Sequence, residues 1–161
     1  GDNIEIIWQC GKYYKQGVDE FMAEAAEKGL GGETLKNVHH TDFIGRMDLA
    51  YAVADVVISR SGASTVSELC AANRAVIFVP SPNVAEDHQT HNAMALVRKN
   101  AAMIIKDSEA EEKLLGAAIY LLKDSQKIKS LQENIALLAL PDAAQTIADE
   151  AYRVVDSKKK Q

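Results

Sequence analysis

Four hydroxyl side chains, Ser59, Ser61, Ser64 and Thr65, crowd into one turn of the stretch Ala54–Glu68, ADVVISRSGASTVSE, with one glycine between them and a carboxylate, Glu68, at the end of the stretch. Hydroxyls and small residues at the start of a helix suit one kind of chemistry. The first backbone N–H groups of a helix have no intrahelical acceptor, and the helix dipole places positive charge there, so the helix start is an anion site. The anion that this turn suits is the pyrophosphate of a nucleotide-sugar. Glu68 would then project from the first turn, where a carboxylate takes both hydroxyls of a ribose. A purely structural reading stands beside this one. Thr65-Val66-Ser67-Glu68 fits the capping box T-x-x-E, in which Glu68 only returns to the helix start. Four hydroxyls are more than one cap needs, and this tilts the reading toward a ligand.

A second polar cluster is Asp87–Asn92, DHQTHN. On a helix, Gln89 and Asn92 share a face at i,i+3. Each amide carries both a donor and an acceptor, which suits sugar hydroxyls, although a polar, solvated first turn reads the same way. Asp87, His88 and His91 hint at a metal, but no further ligand at zinc-type spacing accompanies them. Phe43 and Ile44 are apolar residues in a turn. Core packing is expected for Phe43, and Ile44 could also form the side of a slot for a flat base. His39 and His40 sit in a strand pattern and read as structural. Lys12 and Arg60 are the cations nearest the proposed site, each readable as a phosphate partner or as an ordinary surface residue.

The elements that must hold these residues alternate. Ile4–Trp8 reads as a buried strand, Tyr13–Lys28 as a helix with Val18, Phe21, Met22 and Ala25 inward and a stop at Gly29, and Asn37–Thr41 as a short strand after a Gly-rich loop over Leu30–Leu35. Met47–Ala54 is a short helix. Asp55–Ile58 is a buried strand, and Gly62 permits the sharp turn into a helix over Ala63–Ala72. Ala75–Val79 is an apolar strand closed by Pro80 and Pro82, followed by a loop over Ser81–Glu86. Asp87–Asn100 is a helix with Ala93, Leu96 and Val97 inward, and Ala102–Ile105 a last strand. Three helices complete the chain, over Glu109–Lys123, Gln126–Leu138 and Asp142–Val155, before a frayed, solvated tail, Asp156–Gln161. Strand–helix alternation predicts a parallel α/β sheet with crossover helices, and such sheets bind ligands at the carboxyl ends of their strands. Neither repeats nor linkers divide the chain, so one domain is expected.

With 161 residues and 47% hydrophobic content, the chain can bury a sizeable core. A net charge of −5 gives no general nucleic-acid footprint, so an anionic ligand must be held by local dipoles and a few side chains. Cys10 and Cys70 stand in no metal or redox spacing, which points to a reducing cytosolic setting. No apolar run is long enough to span a membrane, and no signal-peptide pattern precedes the first strand.

The segments ADVVISRSGASTVSEL and AVIFVPSPNVAEDHQTHNA, the short strand at Ala102–Ile105, WQCGK near the start and HTDFIGRMDLAYAVAD together resemble the C-terminal half of the MurG family, the UDP-N-acetylglucosamine transferases that complete lipid II for peptidoglycan. The resemblance covers nearly the whole chain. S-G-A-x-T-V-S-E paired with D-H-Q-x-x-N-A is what makes it specific. It implies a Rossmann-like parallel sheet forming the C-terminal, donor-binding half of a GT-B glycosyltransferase with a helical C-terminus. Carried over by position, Ile44 would bind the uracil edge through its backbone. Ala63, Ser64 and Thr65 would offer backbone N–H groups, and Thr65 its hydroxyl, to the diphosphate and sugar. Glu68 would hold the ribose hydroxyls. His88 and Gln89 would face the N-acetylglucosamine hydroxyls, with Asn92 supporting them.

The family's Gly-rich loop GGS-x-GA, which follows the first strand of this domain, does not occur here, so the chain is expected to begin at the second strand. The N-terminal acceptor domain, with the base for the acceptor hydroxyl, is absent too. No catalytic residue is therefore expected in this chain, and no transferase activity from it alone. The loss of a central strand should leave a gap or exposed sheet edges and invite a homo-oligomer. The implied reaction is inverting transfer of N-acetylglucosamine from UDP-GlcNAc to lipid I, by a protein peripheral on the inner face of the bacterial cell membrane. No metal cofactor is expected, because the helix start would stabilise the departing UDP. Three other functions fit parts of the pattern: the donor subunit of a two-chain transferase, a UDP-GlcNAc epimerase, and a non-catalytic nucleotide-binding module.

Overall fold

The structure is a computed structural model that describes residues 4–83 and 87–158. The chain forms two compact units, residues 1–53 and 54–161.

In the first unit, β1 (Ile6–Gln9) and β2 (Val38–Thr41) pair in parallel, Ile6 opposite Val38 and Gln9 opposite Thr41. The crossover is α1 (Lys15–Glu27) and a 3-10 turn at Gly32–Asn37, and α2 (Met47–Val53) follows β2. The predicted stop at Gly29 is built as expected. Gly29 takes φ 64, its N–H reaches Ala26 O, and Leu30 N–H reaches Ala25 O, which satisfies two carbonyls at the end of α1. His39 and His40 do bind locally. His39 Nε2 lies 2.9 Å from Glu5, and His40 Nε2 lies 2.7 Å from Asp19, tying β2 to α1.

Two packing expectations for this unit do not hold. The apolar run of β1 predicts burial, yet Ile6, Ile7 and Trp8 are 39%, 50% and 41% exposed. An apolar run records the affinity of a strand for apolar neighbours, not how many it has. Among the described residues β1 has one strand neighbour, β2. Phe21, expected on the inner face of α1, is 61% exposed, and Ala25 is the one buried residue of that helix.

Asp19 accepts from Lys15 at 2.5 Å, and this contact, with His40 second, holds its carboxyl below the usual aspartate range. A depressed carboxylate stabilises the fold above its unfolded pKa, and that contribution disappears as pH falls through the folded pKa. A carbon-detected NMR titration of Asp19 should therefore give a midpoint below that of an unperturbed aspartate. Lys15→Ala should move it upward.

In the second unit, β3 (Val56–Ser59), β4 (Ala75–Phe78) and β5 (Met103–Ile104) form a parallel sheet in that order, with Ser59 opposite Phe78 and Phe78 opposite Ile104. Val79 N–H to Ser59 O and Ile105 N–H to Phe78 O, both 2.9 Å, extend the two ladders. The central strand is the core. All four residues of β4 are fully buried. Ala75 and Ile77 cluster with Ile105, with Ala118 and Leu121 of α5 (Asp107–Leu122), and with Leu131 of α6 (Ser125–Ala136). β3 is a sheet edge and is half-buried, with Ile58 47% exposed, rather than buried as its apolar run suggests.

The crossovers are α3 (Ala63–Ala72) and α4 (His88–Val97). α4 buries Ala93 and Leu96 as predicted, while Val97 is half-buried. α6 starts with a true side-chain cap, Asp124 accepting from Lys127 N–H at 2.9 Å. Asp124→Ala should cost about 1 kcal/mol in a urea melt. α7 (Ala143–Lys158) closes the described chain, ending three residues beyond the predicted helix, within the expected frayed tail. The tail beyond it and residues 84–86 of the predicted loop lie outside the described residues.

Candidate functional site

Parallel pairing in register puts the carboxyl ends of β3 and β4 side by side. Two turns therefore meet there, Arg60-Ser61-Gly62 after β3 and Val79-Pro80-Ser81 after β4. α3 begins at Ala63, with Gly62 as N-cap and no side-chain cap. Its first intrahelical bond runs from Val66 N–H to Gly62 O at 2.9 Å, so the N–H groups of Ala63, Ser64 and Thr65 have no intrahelical acceptor. Ala63 and Ser64 are exposed.

This register decides between the two readings of Glu68. A capping box needs Thr65 at the N-cap and Glu68 at the third helical position. With Gly62 at the N-cap, Thr65 is itself third and Glu68 sixth, a turn too late to reach back. Glu68 is exposed, and its carboxylate makes no hydrogen bond or ion pair among the described residues. It lies in the second turn rather than the first. Gly62, read as permitting the bend, has φ −61 and ψ 151, which any residue adopts, and a Cβ there would meet only Thr65 Oγ1, at 3.9 Å.

Ser61 is the one buried polar residue of the site, at 0% exposure. Its hydroxyl donates to Gln89 O at 2.8 Å, its N–H to Gln89 Oε1 at 3.3 Å, and its carbonyl accepts from Asn92 Nδ2 at 3.0 Å. Ser81 N–H also donates to Gln89 Oε1, at 2.9 Å. Arg60 is equally committed. Its guanidinium donates to Val79 O at 3.0 Å and Pro80 O at 3.2 Å and pairs with Asp107 at the start of α5. Arg60 is exposed, as the surface reading has it, and it also braces the turn after β4.

In the first unit, Gln9 Oε1 accepts from Ile44 N–H at 2.9 Å, tying the end of β1 to the turn after β2. Cys10 Sγ donates to Thr41 O at 3.2 Å across the same ends. Ile44 is half-buried. Phe43, expected in the core, is 70% exposed in the turn after β2. Cys10 and Cys70 are both free, and burial pushes the Cys70 thiol up. Among the described residues no group of three or more His, Cys, Asp and Glu gathers as a metal set, so Asp87, His88 and His91 form no such cluster.

The sequence pattern of the glycosyltransferase family 28 C-terminal domain matches residues 1–148. The chain belongs to this family. It is 50% identical over 157 residues to the UDP-N-acetylglucosamine--N-acetylmuramyl-(pentapeptide) pyrophosphoryl-undecaprenol N-acetylglucosamine transferase of Bacteroides thetaiotaomicron, and 47% identical over 157 residues to the protein of the same name from Flavobacterium psychrophilum. Each match covers 98% of this chain and 40% of the relative, so the chain spans about two fifths of the length of these proteins. The crystal structure of Acinetobacter baumannii MurG superposes with a TM-score of 0.74 at 30% identity, over 93% of this chain and 41% of that one. The parallel sheets with flanking helices are thus the Rossmann-like C-terminal half of a GT-B fold.

Within this family-28 domain, the residues singled out in the sequence fall into two groups. Ala63, Ser64, Thr65 and Glu68 lie along the first two turns of α3, and Gln89 and Asn92 are bonded to the turn that leads into it. His88 opens α4 and is exposed. Ile44 belongs to the first unit. Sequence reasoning missed Gln9 and Ser81, and it counted Ser61 only as one hydroxyl among four. Gln9 acts through a pairing between segments 35 residues apart, and Ser81 acts through its backbone N–H, which its residue type does not announce.

Proposed function

We propose that this chain is the donor-binding half of a transferase that moves N-acetylglucosamine from UDP-GlcNAc to lipid I with inversion, giving lipid II for peptidoglycan. The observation that carries this is the mouth of α3. Three open N–H groups, on Ala63, Ser64 and Thr65, stand one turn from an unpartnered carboxylate, Glu68, in a domain whose relatives are named for that donor and acceptor. The diphosphate takes the N–H groups and the Thr65 hydroxyl, and Glu68 takes the ribose hydroxyls. His88, Gln89 and Asn92 serve the sugar, and the backbone of Ile44 serves the uracil edge. A base bound at Ile44 N–H replaces Gln9 Oε1, whose side chain is exposed.

In the reaction the acceptor C4 hydroxyl attacks C1 of the sugar as the C1–oxygen bond to UDP breaks. Negative charge grows on the diphosphate, where fixed N–H donors and the α3 dipole stabilise it without a metal. The base that removes the hydroxyl proton, and the binding of lipid I, come from outside this chain. The working protein is peripheral on the inner face of the cell membrane, and its product serves cell shape and division. No described helix is long and apolar enough to cross a membrane. The exposed edge strand β1 favours self-association.

Calorimetry with UDP-GlcNAc, UDP and GDP tests this reading. UDP-GlcNAc and UDP should bind, GDP at least tenfold more weakly, and the isolated chain should not turn over lipid I. Equal affinity for GDP and UDP, or turnover by this chain alone, would refute it.

A further inference from the structure

The polar groups of Ser61 and Ser81 impose a direction on the two amides that face them. Both backbone N–H groups point at one atom of the Gln89 carboxamide. A donor pair accepts only oxygen opposite it, so the amide cannot be flipped. Gln89 Nε2 is therefore turned away from both turns and makes no hydrogen bond among the described residues. Asn92 is fixed in the opposite sense. The Ser61 carbonyl takes its Nδ2, which leaves Oδ1 without a partner among the described residues. The Ser61 hydroxyl bonds to the Gln89 backbone and holds α4 at this distance.

We propose that Ser61 and Ser81 are positioning residues that set the polarity of the sugar site, so that Gln89 offers its Nε2 donors and Asn92 its Oδ1 acceptor to the ligand. The proposal rests on the donor-site reading above and adds what that reading leaves open. Without the two turns each amide could present either end, and the pair would not discriminate. With them, the complement is a pyranose with one hydroxyl oxygen accepting from residue 89 and a second hydroxyl donating to residue 92, one helical turn on. Three of these bonds lock the turn after β3 against α4 and the fourth ties in the turn after β4, so sugar selection and the shape of the diphosphate mouth share one support.

Gln89→Glu and Gln89→Ala separate the two ends of the side chain. A carboxylate still accepts from Ser61 and Ser81 N–H but has no donor for the sugar, whereas alanine has neither. Two measurements read this out. Amide hydrogen exchange of the free chain should show Ser61 and Ser81 N–H protected in the wild type and in Gln89→Glu, and at least tenfold faster in Gln89→Ala. In calorimetry, the ratio of UDP to UDP-GlcNAc dissociation constants removes the effect of the added charge on the diphosphate. That ratio should fall about threefold to tenfold in Gln89→Glu, the worth of one neutral hydrogen bond. Unchanged exchange at Ser61 and Ser81 in Gln89→Ala overturns the clamp. Normal exchange behaviour with an unchanged ratio in Gln89→Glu overturns the polarity assignment. A wild-type chain that binds neither ligand overturns the donor reading and the polarity assignment together, while the exchange rates still decide the clamp.

Discussion

Phe78→Ala should destabilise the second unit by about 3–5 kcal/mol, the range for removing a fully buried aromatic side chain. Phe78 has 0% exposure and ends the central strand of its sheet, with Ser59 and Ile104 as its partners on either side. Alternation places it on the face opposite Ala75 and Ile77, so the cavity opens away from the cluster shared with α5 and α6. That cluster cannot collapse to fill it. The loss should appear in urea as a lower midpoint with an unchanged slope. Trp8 is a useful contrast. It is also a large aromatic in a strand, but it is 41% exposed on β1, and Trp8→Ala should cost well under half as much. If the two variants cost the same, β4 is not the core that its burial indicates. The turns after β3 and β4 stand on this strand, so its packing also sets the rigidity of the proposed mouth.

The same contrast shows what was legible in the sequence. AVIFV and IEIIW carry the same apolar signal, and both do form strands. AVIFV has strands on both sides and helices on its faces, and it is buried. IEIIW has one neighbour and is exposed. At the site, residue types pointed to the α3 start, but the position of the helix start could not be fixed from them. S-G-A-S-T offers several caps, and Thr65-x-x-Glu68 is a good capping box on paper. The structure starts the helix two residues before Thr65, and only then does Glu68 become a free group. Gln89 and Asn92 were found from their i,i+3 spacing. Their tie to Ser61 was not, because the acceptors and donors involved are largely backbone atoms of turns 28 and 31 residues away. Sequence shows which amides are available. It does not show which end of each is already used.

Glu68→Ala should weaken UDP binding about tenfold to a hundredfold while leaving stability within about 0.5 kcal/mol. A hydrogen bond to a charged group is worth about 1.5–3 kcal/mol, which converts to that range of affinity. An exposed helix residue that caps nothing contributes little to folding. The two candidate roles predict opposite patterns. As a capping residue, Glu68 would lose about 1 kcal/mol of stability on truncation and leave nucleotide binding nearly intact. As a ribose ligand, it would lose binding and keep stability. Glu68→Gln sharpens the test, because the amide retains one acceptor but neither the charge nor the second acceptor, so its affinity should fall between those of the wild type and Glu68→Ala. The ligand can be varied as well. The wild type should bind 2′-deoxy-UDP more weakly than UDP, and Glu68→Ala should barely distinguish them, since the group that reads the 2′-hydroxyl is gone. A variant that still separates the two nucleotides by the wild-type factor would place the ribose elsewhere. The open N–H groups of Ala63, Ser64 and Thr65 would then have to be explained without a neighbouring sugar contact.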